Sequence, residues 1–168
     1  ATGIVTDEYG YDSYESELKM AALASLGLTM RDADRISYTF FFARNASDTY
    51  MRREGYDQEG HQLIGSNDVL HVYKLMTHQL SGVHEFGERW KLRWSGSWSG
   101  TSSDEPDRRQ VMFLKNGDGS LSLFKLNQQE TMRYFGTLDE KEWNAHVAAD
   151  YLFGAGHKLT FGAACKDK

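Results

Sequence analysis

Between Trp90 and Gly100 the chain reads Trp-Lys-Leu-Arg-Trp-Ser-Gly-Ser-Trp-Ser-Gly, with Trp90, Leu92, Trp94 and Trp98 on one parity and Lys91, Arg93, Ser95, Ser97 and Ser99 on the other. Strict period two makes this a β-strand with one apolar and one polar face. Three tryptophans in line on one strand face are too much apolar area to leave in water, and a soluble core seldom takes three such side chains in one row. A lipid-facing strand with aromatics near the borders of its apolar band takes them readily. Whether other segments repeat the pattern, and how they are connected, decides the architecture.

They do repeat it. After a polar, tyrosine-rich opening read as loop (residues 1–15), Leu18, Met20, Ala22, Ala24, Leu26, Leu28 and Met30 alternate with odd positions that include Glu17, Lys19, Ser25, Gly27, Thr29 and Arg31, which predicts a first strand. Past Asp32-Ala33-Asp34, Ile36, Tyr38, Phe40 and Phe42 resume the same parity in a second strand. The β-rich Val69-Leu70-His71-Val72-Tyr73 opens a third strand reaching Glu85, although His71, Lys74, His78 and His84 interrupt both of its parities. The tryptophan strand is the fourth. Trp143, Ala145, Val147, Ala149, Tyr151 and Phe153 mark a fifth, against Asn144, His146, Ala148 and Asp150. Leu159, Phe161, Ala163 and Cys165 mark a sixth.

The connections read short (32–34), long (45–68), short (86–89), long (101–142) and short (154–157). The second long stretch holds its own hairpin, Val111-Met-Phe-Leu114 and Leu121-Ser-Leu-Phe124 around Asn116-Gly-Asp-Gly119. Tight turns at one edge and extended loops at the other match the short periplasmic turns and long extracellular loops of outer-membrane barrels. Trp90 to Trp98 and Trp143 to Phe153 are eight and ten residues apart. At a climb of roughly 2.5 Å per residue for a tilted strand, these spans cover about 20 to 25 Å, close to the height of an apolar band. Residues 1–168 therefore read as an all-β, antiparallel up-and-down meander, about six strands of a larger transmembrane β-barrel. Six strands do not close such a barrel and open edges in lipid are costly, so the expectation is a piece of a longer folding unit.

Composition agrees. No apolar run approaches the length of a membrane-spanning helix, and glycine at 16 with a single proline suits many extended segments. A net charge of −5 with dispersed Lys and Arg argues against nucleic acid as a partner. The single Cys165 cannot form an intrachain disulfide, and the opening Ala1-Thr-Gly-Ile-Val-Thr-Asp7 lacks the basic start and apolar run of a leader, so the chain reads as cytoplasmic or as cut from a longer precursor.

Residues with chemical potential are few. Asp104-Glu105-Pro106-Asp107, followed at once by Arg108 and Arg109, reads as an ion-pair network rather than a calcium loop. The six histidines show no metal-ligand spacing, so neither metal nor cofactor is expected. Gly96-Ser-Trp-Ser-Gly100 has Trp98 where a nucleophile elbow needs serine, and no catalytic residue is expected. Tyr50, Arg52, Arg53 and Tyr56, with Glu54, are the candidate extracellular ligand contacts, because Tyr and Arg dominate recognition surfaces. Parity assigns Trp90, Leu92, Trp94, Trp98, Trp143, Tyr151 and Phe153 to lipid, and Lys91, Arg93, Ser95, Asn144, His146 and Asp150 to a lumen.

Four stretches carry a family likeness: Arg35-Ile-Ser-Tyr-Thr-Phe-Phe-Phe-Ala-Arg-Asn45 leading to Tyr50-Met-Arg-Arg-Glu-Gly55, Trp98-Ser-Gly-Thr-Ser-Ser-Asp-Glu-Pro-Asp-Arg-Arg-Gln110, Asp139-Glu-Lys-Glu-Trp-Asn144, and His157-Lys-Leu-Thr-Phe-Gly-Ala-Ala-Cys-Lys-Asp-Lys168. Through them, residues 18–168 resemble part of the barrel of TonB-dependent outer-membrane receptors of the type common in Bacteroidetes. The plug domain and the TonB-box segment of that family are not found in the chain. The resemblance implies a bacterial outer-membrane location and active uptake of a nutrient ligand such as an iron chelate, glycan, peptide or cobalamin. It also implies partners: the remaining barrel strands and plug, a TonB-type energy-coupling protein acting through the plug, and a surface lipoprotein. In a bacterial chain the sequon Asn45-Ala46-Ser47 means little. Two other classes compete: a soluble β-barrel or sandwich binding small apolar ligands, and a membrane-barrel hydrolase with serine, histidine and acid on one strand row.

Overall fold

The computed structural model describes residues 8–31, 34–124, 131–154 and 156–168, which are all-β. The strands are β1 (Glu8–Arg31), β2 (Asp34–Tyr56), β3 (Gln62–Phe86), β4 (Trp90–Lys115), the short β5 (Leu121–Leu123), β6 (Met132–Phe153) and β7 (His157–Asp167). They form one antiparallel meander in the order β1-β2-β3-β4-β6-β7, with β5 paired to β4. The sheet is not closed, so β1 and β7 are its edges.

Six long strands agree with the sequence reading, but their extents do not. Residues 8–15, expected in a loop, belong to β1, and the expected long connections 45–68 and 101–142 are largely strand. The β2–β3 connection is only residues 57–61, and β4 continues to Lys115 before the β5 hairpin. The reason lies in what alternation detects. A strand wet on both faces has the same backbone ladder as a half-buried one but no apolar parity to reveal it. The turn at 86–89 stands, with Gly87 at φ 62°, as does the turn at Gly154, whose φ is 60°. Of the turn expected at 32–34, Asp32 and Ala33 lie outside the described residues, and so does Ala155 of the turn at 154–157.

Contacts divide the chain into two compact units, a first of Ala1–Leu18, Asn45–Val72 and Ser103–Thr137 and a second of Lys19–Arg44, Tyr73–Ser102 and Leu138–Lys168. In the first, Leu63, Met112 and Phe124 are buried against one another, with Tyr9 and Leu114 packed around them. The expected β4–β5 hairpin pairs Phe113 with Leu123 and Lys115 with Leu121, and its turn closes through the Asn116 N–H to Ser120 O bond at 2.8 Å. The β2–β3 turn is organised by Asp57, whose Oδ1 accepts from the backbone N–H of Glu59 (3.0 Å) and His61 (2.8 Å). Gly60 takes the left-handed φ of 79° that this turn requires. Within the same unit β4 carries one extra residue. His71 meets Glu105, but Arg109 reaches Asp68 and Met112 lies under Gly65, a register longer by one on β4. The span between Glu105 and Arg109 contains Pro106, which has no N–H for the ladder, and a bulge there absorbs the shift.

Candidate functional surfaces

In the second unit, cross-strand contacts fix which side chains share a face. Ser25 and Thr39 (3.3 Å), Ser37 and Ser81 (2.9 Å), Lys91 and Glu85 (3.0 Å), and Arg93 and Asp150 (3.0 Å) link β1 through β6 on one side. The β6–β7 register continues that side through Asn144↔Lys166, His146↔Ala164 and Asp150↔Thr160. All six residues assigned by parity to a lumen, Lys91, Arg93, Ser95, Asn144, His146 and Asp150, stand on this polar side.

The opposite side is aromatic. Trp90 lies 4.6 Å from Tyr151 and 6.2 Å from Phe161, and Trp98 lies 6.2 Å from Trp143 (ring centroids). Tyr151 stacks on Phe153 at 6.1 Å, and Trp94 fills the space left by Gly82, where a Cβ would lie 2.5 Å from the indole. The residues assigned to lipid thus share one face, Leu92 among them by its parity on β4.

That face is uncovered. Ala148 is the buried hydrophobic residue of this unit among the described residues, whereas Met20, Leu26, Leu28, Met30, Leu80, Phe86, Trp90, Trp143, Val147, Phe153, Leu159 and Phe161 are exposed on the aromatic parity. Leaving a side chain of this size in water forgoes roughly 1.5–3 kcal/mol of burial. These twelve are about half exposed, so together they forgo on the order of 10–20 kcal/mol, comparable to the whole stability of an ordinary domain, about 5–15 kcal/mol.

Two of the histidines that blur the parities of β3 belong to this face. His78 shares a 2.7 Å hydrogen bond with the Tyr38 hydroxyl and packs against Phe40 (5.0 Å) and Trp98 (5.4 Å). His84 stacks on Trp94 at 6.4 Å and lies 3.4 Å from Asp34. Each presents a ring to its neighbours and a nitrogen to a polar partner, as amphipathic side chains do near a border. Between Trp94, Trp98 and Trp143, over Gly96, the face holds a groove of about 640 Å³ that Ala145 and Cys165 also line.

On the polar side Asp150, 5% exposed, is the focus. It accepts from Arg93 (3.0 Å) and Thr160 (2.8 Å) and pairs with Lys158 (3.2 Å), so two cations and a hydroxyl hold one buried carboxylate. Glu142 likewise holds Lys166 (2.7 Å) and Asn144 (2.8 Å). Neither cluster is apparent until the register is known, although parity already placed Arg93 and Asp150 together. A smaller hollow of about 270 Å³ gathers Gln79, Ser95, Ser97, Asn144 and His146. Among the described residues no hydrogen bond joins its serines to His146, and no three His, Cys, Asp or Glu side chains converge as a metal site.

In the first unit the acidic run is tied into ion pairs. Glu105 meets His71 at 2.8 Å, and Asp107 accepts from Arg133 (2.7 and 2.8 Å) and lies 3.3 Å from Arg109. The Arg133 hydrogen bonds, with help from the Arg109 charge, hold the Asp107 carboxyl below the usual carboxylate range. The four expected ligand contacts do not form one patch. Tyr50, Arg52 and Tyr56 share one parity of β2 and are exposed, with Arg52 3.4 Å from Glu54, whereas Arg53 takes the other parity. Period two separates them, since neighbours on a strand point to opposite faces. The sequence matches no protein-family model and no curated protein.

Proposed function

We propose that the chain forms part of the barrel wall of a TonB-dependent transporter in a bacterial outer membrane, one that takes up a nutrient ligand such as an iron chelate, glycan, peptide or cobalamin. The observation that carries this reading is the uncovered aromatic face of the second unit, backed on the same strands by a face of serines, amides and ion pairs. Hydrocarbon accepts the first face and a water-filled lumen the second. The unpaired edges β1 and β7 support the same reading, because edge backbone groups in lipid must be paired, here by further strands of the same barrel. A plug and an energy-coupling protein complete the proposed machine, and no residue of the chain is assigned a catalytic part.

Fractionation of cells carrying the chain tests this. The expected result is recovery in the outer-membrane pellet after alkaline carbonate washing, release only by detergent, and copurification with the polypeptide that completes the barrel. A lone 19.1 kDa monomer, free in buffer and melting cooperatively, would overturn it. The groove over Gly96 is what favours the soluble binding module as the second reading. On that reading the monomer takes up a small apolar fluorophore there and tryptophan emission shifts; on the membrane reading lipid fills the space.

A further inference from the structure

The first unit carries an arginine without a carboxylate partner and a buried acceptor without a donor, and both residues line one pocket. Arg53 is half-buried over the Tyr9 ring, 5.7 Å from its centroid, and no carboxylate pairs with it among the described residues. Elsewhere in this unit Arg52 pairs with Glu54, Arg109 with Asp68 and Asp107, and Arg133 with Asp107, while Arg108 is exposed to solvent. Asn67 Oδ1 is buried without a hydrogen-bond partner. A partly desolvated cation without an anion, and a buried acceptor without a donor, are both unfavourable unless a ligand completes them.

Arg53 and Asn67 line the same cavity of about 120 Å³, together with Tyr11, Met51, Ser66 and Gln110. That volume holds a head group of a few heavy atoms, far less than a whole ligand of ordinary size. The polar demand is specific. The guanidinium offers a planar fork of donors that suits a carboxylate, and Asn67 Oδ1 needs an N–H beside it. Met51 supplies an apolar wall for the carbon between the two groups.

We propose that this pocket is an anchoring subsite for an α-amino or α-amido carboxylate, the chemistry shared by a free amino acid and a peptide C-terminus, with Arg53 binding the carboxylate and Asn67 accepting the N–H. The inference rests on the uptake reading for what the site serves, but its chemistry can be tested whether the chain is held in detergent or in buffer. A chain that proves water-soluble overturns the membrane reading and leaves the pocket in place; a detergent-held chain that ignores the probes overturns the pocket alone.

The test is ligand-observed NMR on the whole chain with N-acetylglycine, glycine, acetate and N-acetylglycinamide. The expected result is saturable binding of N-acetylglycine or glycine, with acetate and N-acetylglycinamide each weaker by roughly tenfold or more, since each lacks one of the two groups. Glycine binding tighter assigns a free amino acid, and N-acetylglycine binding tighter a peptide end. Arg53→Gln and Asn67→Leu, which removes the acceptor at similar volume, should each weaken binding by a similar factor, Arg53→Lys should keep part of it, and Arg52→Gln should leave it unchanged. Circular dichroism of each variant separates loss of the site from loss of the fold. N-acetylglycinamide binding as tightly as N-acetylglycine, or a folded Arg53→Gln variant binding like the parent, would overturn the proposal.

Discussion

Val147→Arg should abolish assembly of the chain into the outer membrane, while His146→Arg, one residue away, should be tolerated. Val147 is 44% exposed on the aromatic side, opposite Ala163 and between the rings of Trp143 and Phe153 along β6. His146 faces the polar side with Ser95, Ser97 and Asn144. An arginine on the lipid face near the midplane costs about 2–4 kcal/mol, and toward a border less. On a surface bathed in water the same Val147→Arg change falls within about 0.5 kcal/mol of neutral. The pair is read by the fraction of folded chain in washed outer membranes, or by denaturant titration in lipid vesicles. Equal yields for the two variants would contradict the assignment of faces.

Gly55→Val should release the start of β1 from the sheet. A Cβ at Gly55 would collide with the Glu8 carbonyl oxygen and lie 2.7 Å from the Tyr9 Cα, and backbone cannot swing aside as a side-chain tip can. Valine is otherwise a favourable strand residue, so the collision sets the sign. Overpacking of this kind costs typically about 1–3 kcal/mol. Hydrogen exchange should show lost amide protection across residues 8–18. Gly27→Val is the control: nothing lies within 4 Å of the added Cβ, and β-propensity predicts a change from neutral to about 1 kcal/mol stabilising. Similar losses at both positions would show that the close approach of β1 to Gly55 does not exist.

The aromatic and polar faces of the second unit were legible because period two ran from Trp90 to Trp98 and from Trp143 to Phe153, and from Leu18 to Met30 with Leu23 as its one large break. The turns at 86–89 and 154–157 were legible from their glycines. In the first unit the β4–β5 hairpin was legible from Asn116-Gly-Asp-Gly119, and the long strands were not. From Asn45 to Asp68 and from Thr101 to Glu142 polar residues occupy both parities, so the pattern fell silent where the ladder continued. Asp57 and Gly60 were the signals that a tight turn lay within the first of these stretches. The histidines of β3 misled because imidazole counts as polar, while His78 and His84 use their ring faces against tryptophan. Arg52 and Arg53 looked like one patch for the opposite reason. Adjacency in sequence is separation on a strand: Arg52 pairs with Glu54, while Arg53, on the other parity of β2, lines a pocket.

The chain's single thiol offers the most direct test of where the aromatic face resides. Cys165 is exposed on that face, opposite Ala145 in the β6–β7 register and lining the groove beside Trp143. A nitroxide attached to Cys165 in outer membranes containing the chain reports, by power saturation, whether it collides with dissolved oxygen or with a water-soluble nickel chelate. The lipid-facing assignment predicts oxygen collisions well in excess of nickel collisions. Dominant nickel collisions would put the face in water and contradict the membrane reading.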